Sequence, residues 1–302
     1  MQGNDQEPQA AEPAVPRRDS LRVARGRRPG GTRVVLEGPQ GAIPLGGPFV
    51  VMAGPCAVEG REPLEASARA VGAAGCAVLR GGAFKPRTSP YSFQGMGEPG
   101  VRLLVEAGRR HGLATVSEIV DAAHLPHLEG VDLLQVGARN MQNFALLRAL
   151  SRERRPVLLK RGPAATVEEW LLAAEYLLEG GNDQVVLCER GIRTFETSTR
   201  YTLDLSSVAV AKQRTHLPVI VDPSHAAGQR DLVLPLALAA AAAGADGLLL
   251  DVHADPASAL CDGPQALLPQ GLQDLMTRLR PLLDALGREL WLPRAAALRA
   301  AP

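Results

Sequence analysis

The segment RGGAFKPRTSP, residues 80–90, sets Arg80, Lys85 and Arg87 within eight positions of one another, directly behind an apolar run. Two glycines and two prolines interrupt it, so it cannot be the solvated face of an ordinary helix. Arg139, Lys160, Arg161, Arg190 and Arg193 follow, each close behind a further apolar run. Arginine offers a planar fork matched to phosphate or carboxylate, and lysine a movable point charge. Cations gathered on one rim would repel one another unless anions occupied the space between them. The ligand such a set calls for is a small, multiply anionic molecule, or two of them.

A second set is of a different kind. Cys56, His225, Asp251 and Asp262, with His253 as a substitute, combine a thiol, an imidazole and carboxylates. Taken singly, Cys56 reads as a small buried hydrophobe and Asp262 as a cap before GPQ. Brought to one place, the four suit a divalent transition metal: Mn, Fe, Co or Zn.

Whether either set works depends on the elements that carry it. From residue 48 onward, short apolar runs alternate with amphipathic ones. The runs are FVVMAG (49–54), AVLRGG (77–82), LATVSEI (113–119), LLQVGA (133–138), PVLLKRG (156–162), VVLCERG (185–191), PVIVDPSH (218–225) and GLLLDVH (247–253). Most are continuously apolar, as parallel strands buried on both faces should be. Between them lie helical patterns such as TVEEWLLAAEYLLEGG, where Thr166 and Glu169 fit a capping box and Gly180–Gly181 a stop. This alternation predicts an α/β fold, a (β/α)8 barrel, with TRVVLEGPQGAIPLGG as a short N-terminal hairpin closing its bottom. An open doubly wound sheet is the alternative, but no GxGxxG turn follows the first strand. In a barrel the chemistry sits at the C-terminal strand ends, which is where both sets fall.

Composition narrows the classes further. The chain has 302 residues, is 46% hydrophobic and carries a net charge of +1, which gives no reason to expect nucleic acid or a membrane as partner. No run approaches the roughly 20 apolar residues of a membrane helix. The four cysteines form no CxxC pair and the N-terminus reads as no secretory signal, so a reducing cytoplasm is expected. Residues 1–31, rich in Pro, Ala, Gly and Arg, read as a disordered basic tail. Residues 32–290 read as the barrel and 291–302 as a C-terminal tail.

The segments AGPCAVEG, RGGAFKPRTSPYSFQG, QVGARNMQNFALL, PVLLKRG, CERGIRTFE, VDPSHAAG and DGPQAL closely resemble the 3-deoxy-D-arabino-heptulosonate-7-phosphate (DAHP) synthases of the short microbial type Iβ form. The resemblance runs from about residue 33 to about residue 285. It implies the condensation of phosphoenolpyruvate with erythrose 4-phosphate, with release of phosphate, as the first step of the shikimate pathway. It also implies that Arg80, Lys85, Arg139, Lys160 and Arg190 hold phosphoenolpyruvate, and that Arg87 and Thr88 hold the sugar phosphate. Cys56, His225, Asp251 and Asp262 match the metal positions. Lys85 or Lys160 is the candidate for proton transfer, since lysines crowded by other cations lose basicity, and His225 is shared between the metal and catalytic sets.

Two departures stand out. Strand eight reads LLLDVH, with Asp251 where the family typically has Glu. The 31 residues before the barrel are too few for the regulatory domain of many relatives, so no built-in inhibition by aromatic amino acids is expected. A homo-oligomer, dimer or tetramer, is the expected assembly, and a chorismate mutase is the candidate for a separate regulatory partner. Three alternatives remain open: a sibling synthase for arabinose 5-phosphate, which the KPRT loop disfavours; a Schiff-base aldolase using Lys85 or Lys160; and a barrel kept as a binding partner without activity.

Overall fold

The structure is a computed structural model that describes residues 17–293. A hairpin of β1 (Val34–Gly38) and β2 (Gly41–Leu45) comes first, paired antiparallel from Val34↔Leu45 to Gly38↔Gly41. Then follow β3 (Val50–Gly54), α1 (Arg61–Ala73), β4 (Val78–Arg80), α2 (Glu98–His111), β5 (Ala114–Ile119) and β6 (Leu133–Val136). The chain continues with α3 (Phe144–Leu150), β7 (Val157–Lys160), α4 (Val167–Glu179), β8 (Val185–Glu189), α5 (Leu205–Arg214) and β9 (Val219–Val221). It ends with α6 (Pro223–Ala227), α7 (Arg230–Ala242), β10 (Gly247–Asp251) and α8 (Pro269–Ala285). Strands β3 to β10 pair in sequence order, all parallel, and β10 closes on β3 through Gly247↔Val50 to Asp251↔Gly54. The predicted (β/α)8 barrel with its N-terminal hairpin is what the chain forms.

Each of the eight apolar runs contains one barrel strand, and the barrel strands are buried along their whole length. That burial explains the absence of alternation, because one face packs inside the barrel and the other beneath the helices. The capping box of α4 is present, with Thr166 and Glu169 each bonding the other's backbone. One unit departs from the pattern. The link between β5 and β6 is a 3-10 stretch, Ala122–Leu128, because Pro126 and the short sequence AAHLPHL leave no room for a regular helix.

The floor of the barrel is apolar. Val34, Leu36, Ile43 and Leu45 of the hairpin pack into one cluster with Val50, Met52, Val78, Ala114, Leu158, Val186, Ile220 and Leu249 from the barrel interior. The expected disorder of residues 1–31 holds no longer for 17–31; residues 1–16 lie outside those described. Val23 and Ala24 are buried, and Ala24 bridges to Thr215. Glu175 of α4 accepts from the backbone N–H groups of Arg22 and Val23, each at 2.8 Å. The His216 ring links the segment twice, to Thr32 Oγ1 at 2.7 Å and to the Arg22 carbonyl at 2.7 Å. Two apolar side chains and a few well-placed acceptors suffice to order a segment whose composition alone looked too polar to fold. The assigned C-terminal tail also begins in contact: Trp291 donates its backbone N–H to Phe49 at 2.9 Å and rests against the hairpin. Residues 294–302 lie outside those described.

Candidate active site

The strand ends at the other face approach one another so closely that glycine is required. Gly54, at the end of β3, has φ +150, and a Cβ there would lie 2.2 Å from the Arg80 carbonyl oxygen on β4. Gly82 sits between the two sets of chemical residues. A Cβ on it would meet Lys85 Cδ at 2.8 Å and the Cys56 carbonyl oxygen at 2.9 Å. The glycines ahead of the cationic loop therefore let the Lys85 side chain fold back over the backbone of Cys56.

The seven residues expected to bind substrate, Arg80, Lys85, Arg87, Thr88, Arg139, Lys160 and Arg190, all line one cavity of about 290 Å3. Arg80, Lys85, Lys160 and Arg190 are buried, while Thr88 and Arg139 are exposed at its lip. Arg139 is tied to the loop by a bond to the Pro86 carbonyl at 3.3 Å. Two cations of the sequence reading are not among the residues that line it. Arg161 turns outward, where its guanidinium meets Glu189 and Asp204, each at 2.9 Å. Arg193, whose backbone N–H bonds the Pro163 carbonyl, has an exposed side chain.

The charges are paired more tightly than a cationic rim implies. Asp222 is fully buried and touches both Lys160 Nζ, at 2.5 Å, and His225 Nδ1, at 2.9 Å. Burial alone would raise the Asp222 carboxyl, but His225 and Lys160 outweigh it and hold it well below the usual carboxylate range. Arg80 is paired with Asp251, and both are buried. Arg190 lies over the Tyr201 ring, 4.3 Å from its centroid.

Lys85 corrects the reasoning on basicity. Its Nζ is 3.2 Å from Cys56 Sγ and 3.7 Å from Glu118 Oε2. Burial pushes its pKa down, but the Cys56 thiolate and Glu118 push harder in the other direction and leave it above the ordinary lysine value. Crowding by cations is not what governs it, because a thiolate and a carboxylate are nearer. Lys85 is therefore held as the ammonium, which suits it to clamp an anion and does not tune it for proton transfer.

The four residues expected to hold a metal each offer an atom within 4.8 Å of the others. Cys56 Sγ is 3.0 Å from Asp262 Oδ2 and 3.7 Å from His225 Nε2, and the latter two atoms are 3.6 Å apart. Asp222 anchors Nδ1 of the same ring, which leaves Nε2 facing the cluster. Cys56 lies well below the ordinary thiol pKa, first because Cys261 donates a hydrogen bond to it, then against burial through the charge of Lys85. A thiolate and a carboxylate 3.0 Å apart repel unless a cation or a proton lies between them, so this donor set fits a divalent transition metal. His253, the substitute, is 3.6 Å from Glu59 and is absent from the group. Asp262 is the one non-glycine with positive φ among the described residues, +55. Asp tolerates that conformation better than most residues, and here it turns the carboxylate toward Cys56.

Several site residues were missed. Glu118 and Gln135 line the cavity from within β5 and β6, and a polar residue inside a continuously apolar run was the available signal. Arg200 and Tyr201 come from the loop after β8, where no periodicity marks them; Arg200 reaches Asp262 Oδ1 at 3.1 Å. Cys261, whose Sγ is 3.5 Å from Cys56 Sγ, had no signal, since the two are far apart in the chain.

Comparison with known proteins bears on what this arrangement serves. The sequence pattern of the DAHP synthetase I family matches residues 35–284. A phospho-2-dehydro-3-deoxyheptonate aldolase of Thermotoga maritima is 51% identical over 249 residues, 82% of this chain and 74% of the relative. A 2-dehydro-3-deoxyphosphooctonate aldolase of Desulfotalea psychrophila is 30% identical over 270 residues, 82% of this chain and 95% of the relative. The crystal structure of the Thermotoga maritima phospho-2-dehydro-3-deoxyheptonate aldolase superposes with a TM-score of 0.84 at 46% identity, over 89% of this chain and 78% of that one. A truncated form of the 3-deoxy-D-arabino-heptulosonate 7-phosphate synthase of the same organism superposes with a TM-score of 0.82 at 44% identity, over 89% and 98%.

Proposed function

The chain belongs to the DAHP synthetase I family, and from that premise we propose that it condenses phosphoenolpyruvate with erythrose 4-phosphate to give DAHP and inorganic phosphate, the first step of the shikimate pathway. The observation that carries this reading is the single cavity in which Arg80, Lys85, Arg87, Arg139, Lys160 and Arg190 meet beside the Cys56–His225–Asp262 cluster. Two phosphates and a carboxylate need that density of cations.

In the reaction, the enol carbon of phosphoenolpyruvate forms a bond to the aldehyde carbon of the sugar. Water adds at the carbon that carries phosphate, and phosphate leaves. Arg190, braced by Tyr201, and Lys160, braced by Asp222, hold phosphoenolpyruvate; Arg80 reaches the same wall from its pairing with Asp251. Arg139 completes the phosphoenolpyruvate set, and Arg87 and Thr88 hold the sugar phosphate at the lip. Lys85, held as the ammonium and lining the cavity, donates a hydrogen bond to the oxygen that becomes a hydroxyl. Cys56, His225, Asp251 and Asp262 would hold a divalent transition metal, which would supply Lewis-acid polarisation of the aldehyde oxygen. His225 presents Nε2 to the other ligand atoms because Asp222 holds Nδ1.

The chain works as a homo-oligomer, dimer or tetramer, on this reading: Tyr91 and Phe195, each 97% exposed, are the surfaces a second copy would cover. Among the described residues no helix is long and apolar enough to cross a membrane. Phosphate release from phosphoenolpyruvate tests the function, with erythrose 4-phosphate and arabinose 5-phosphate compared as acceptors. Turnover with the four-carbon sugar is expected; preference for arabinose 5-phosphate would replace this reading with the sibling synthase.

A further inference from the structure

Each carboxylate of the metal-ligand set is gripped from behind by a side chain outside that set. Arg200 Nη1 donates to Asp262 Oδ1 at 3.1 Å, while Asp262 Oδ2 faces Cys56 Sγ and His225 Nε2. Gln265 Nε2 donates to Asp251 Oδ2 at 2.5 Å, and Asp251 Oδ1 faces the Arg80 guanidinium. The two grips are joined, because Gln265 Oε1 accepts from the same Arg200 nitrogen at 3.0 Å. The backbone builds this placement. The turn after Asp262 packs so closely that a Cβ on Gly263 would lie 2.2 Å from the Pro256 carbonyl oxygen. Leu267 then donates its backbone N–H to the Asp251 carbonyl at 2.8 Å, which sets Gln265 beside the end of β10. On the other side, Arg200 and Tyr201 donate their backbone N–H groups to Ala227 and Ala226, at 3.1 and 2.9 Å, in the helix that carries His225. Gly228 has φ +69, and a Cβ on it would lie 2.7 Å from Arg200 Cβ, so glycine leaves room for the arginine stem.

On the metal-dependent reading above, we propose that Arg200 and Gln265 are positioning residues, a relay that fixes the Asp251 and Asp262 carboxylates relative to His225 and so sets the affinity and geometry of the metal centre. The choice of glutamine follows from its two partners. Arg200 can only donate, and the Asp251 carboxylate, paired with Arg80, accepts. A side chain between them must accept at one end and donate at the other, which a neutral amide does and a carboxylate does not. Gln265 is 2% exposed, so no solvent competes for either bond. A hydrogen bond to a carboxylate oxygen uses one lone pair and leaves others for an ion. Arg200 lines the substrate cavity as well, so the relay runs from the cavity wall to the buried end of β10. Three of the four ligand-bearing elements are thereby tied together: the helix of His225, the turn of Asp262 and the strand of Asp251.

The test reads the metal itself, with cobalt(II) as the probe. Affinity is measured by chelator competition for wild type, Gln265→Met and Arg200→Met, and the visible d–d bands report the ligand geometry. Gln265→Met loses both bonds at nearly constant volume and should bind cobalt about tenfold to a hundredfold more weakly, with shifted bands. Arg200→Met separates two roles of the arginine. Acting only as a nearby cation, it would oppose the metal, and its removal would tighten cobalt binding. Acting as a positioning residue, its removal loosens Asp262 and Gln265 and weakens binding by about threefold or more. The double variant should be little worse than Gln265→Met, because both substitutions break one relay. Thermal melts of the apo forms report the fold; Arg200 is 35% exposed, so its variant decides the matter where buried Gln265→Met fails to fold. Unchanged affinity and bands in Gln265→Met, tighter binding by Arg200→Met, or strict additivity of the two would overturn the proposal and spare the metal-dependent reading. Failure of wild type to retain cobalt at all would overturn both.

Discussion

At the floor of the barrel, the hairpin residues Val34, Leu36, Ile43 and Leu45 are each at most 2% exposed and pack in one apolar cluster. At the mouth, Arg80, Lys85, Lys160 and Arg190 are nearly as buried, at 3 to 9%, and meet Asp251, Cys56, Glu118, Asp222 and Tyr201. Burial does opposite things at the two ends. On the floor it removes apolar surface from water and stabilises the fold. In the mouth it strips charges of solvent, which costs stability that close pairing only partly offsets. The mouth keeps those charges because anions from solution complete them, so the two ends should separate cleanly under mutation: mouth changes act on turnover, floor changes on melting.

The largest effect is expected from removing the ion and its first ligand. Exhaustive chelation, and separately Cys56→Ala, should abolish most turnover, with activity returning to the chelated wild type on adding a divalent transition metal. Full activity in a preparation that metal analysis shows to be empty would end the metal-dependent mechanism. Next come Arg190→Ala and Lys160→Ala. Each deletes a pre-organised cation from a water-poor cavity, a change that typically costs about 10²–10³ in rate. Near-normal kcat/KM in both would remove the assigned phosphoenolpyruvate site. Arg190→Ala should leave the melting temperature nearly unchanged, whereas Lys160→Ala removes the lysine partner of buried Asp222 and should lower it as well.

Ile43→Ala inverts the pattern. Truncating a fully packed side chain costs about 2–4 kcal/mol, which for a domain of this size lowers Tm by about 5–15 °C. KM for both substrates should stay within about twofold, because the floor is separated from the cavity by the barrel interior. A floor variant that altered KM before it altered Tm would mean that the two ends are mechanically coupled.

A smaller effect separates the two carboxylates of the cluster. Asp251→Glu should bind zinc more tightly than wild type, because the longer carboxylate gains about 1.5 Å of reach. Unchanged affinity, measured by chelator competition, would mean that Arg80 and Gln265 hold the carboxylate away from the ion whatever its length.

How much of this was legible in the sequence follows the same division. The barrel was readable because β3 to β10 are continuously apolar, and that pattern is local. The substrate cations were readable because each stands directly behind a strand end. What escaped was decided by neighbours distant in sequence. Lys85 looks crowded by Arg80 and Arg87 along the chain, but in space Cys56 and Glu118 are what set its charge. Arg161 reads as part of the rim, yet strand β7 has alternating faces, so the residue after Lys160 points outward to Glu189. Cys261 is invisible until β3 and the loop after β10 are adjacent. Val23 and Ala24 escaped because a polar, arginine-rich composition hid two apolar contacts and the Glu175 acceptor.

The weakest effect is expected where the floor does contain a titratable group. His216 receives the Thr32 hydroxyl at Nδ1 and donates from Nε2 to the Arg22 carbonyl, so both ring nitrogens are used by the neutral form. Burial lowers its pKa below the ordinary 6.5, the Arg22 carbonyl opposes this, and Arg28 adds to the lowering, with Asp183 opposing and Arg25 adding. A histidine whose folded pKa is depressed binds fewer protons folded than unfolded below pH 6.5. Its stabilising contribution is therefore complete above that pH and is lost as pH falls toward the folded value. The expected result is reduced hydrogen-exchange protection of the backbone amides of Arg22, Val23 and Thr32 as pH falls below about 6.5, with the β1–β2 hairpin amides unaffected. In His216→Gln, which keeps hydrogen-bonding capacity without titrating, that dependence should disappear. Exchange that accelerates equally in the variant would show that His216 is not the group responsible.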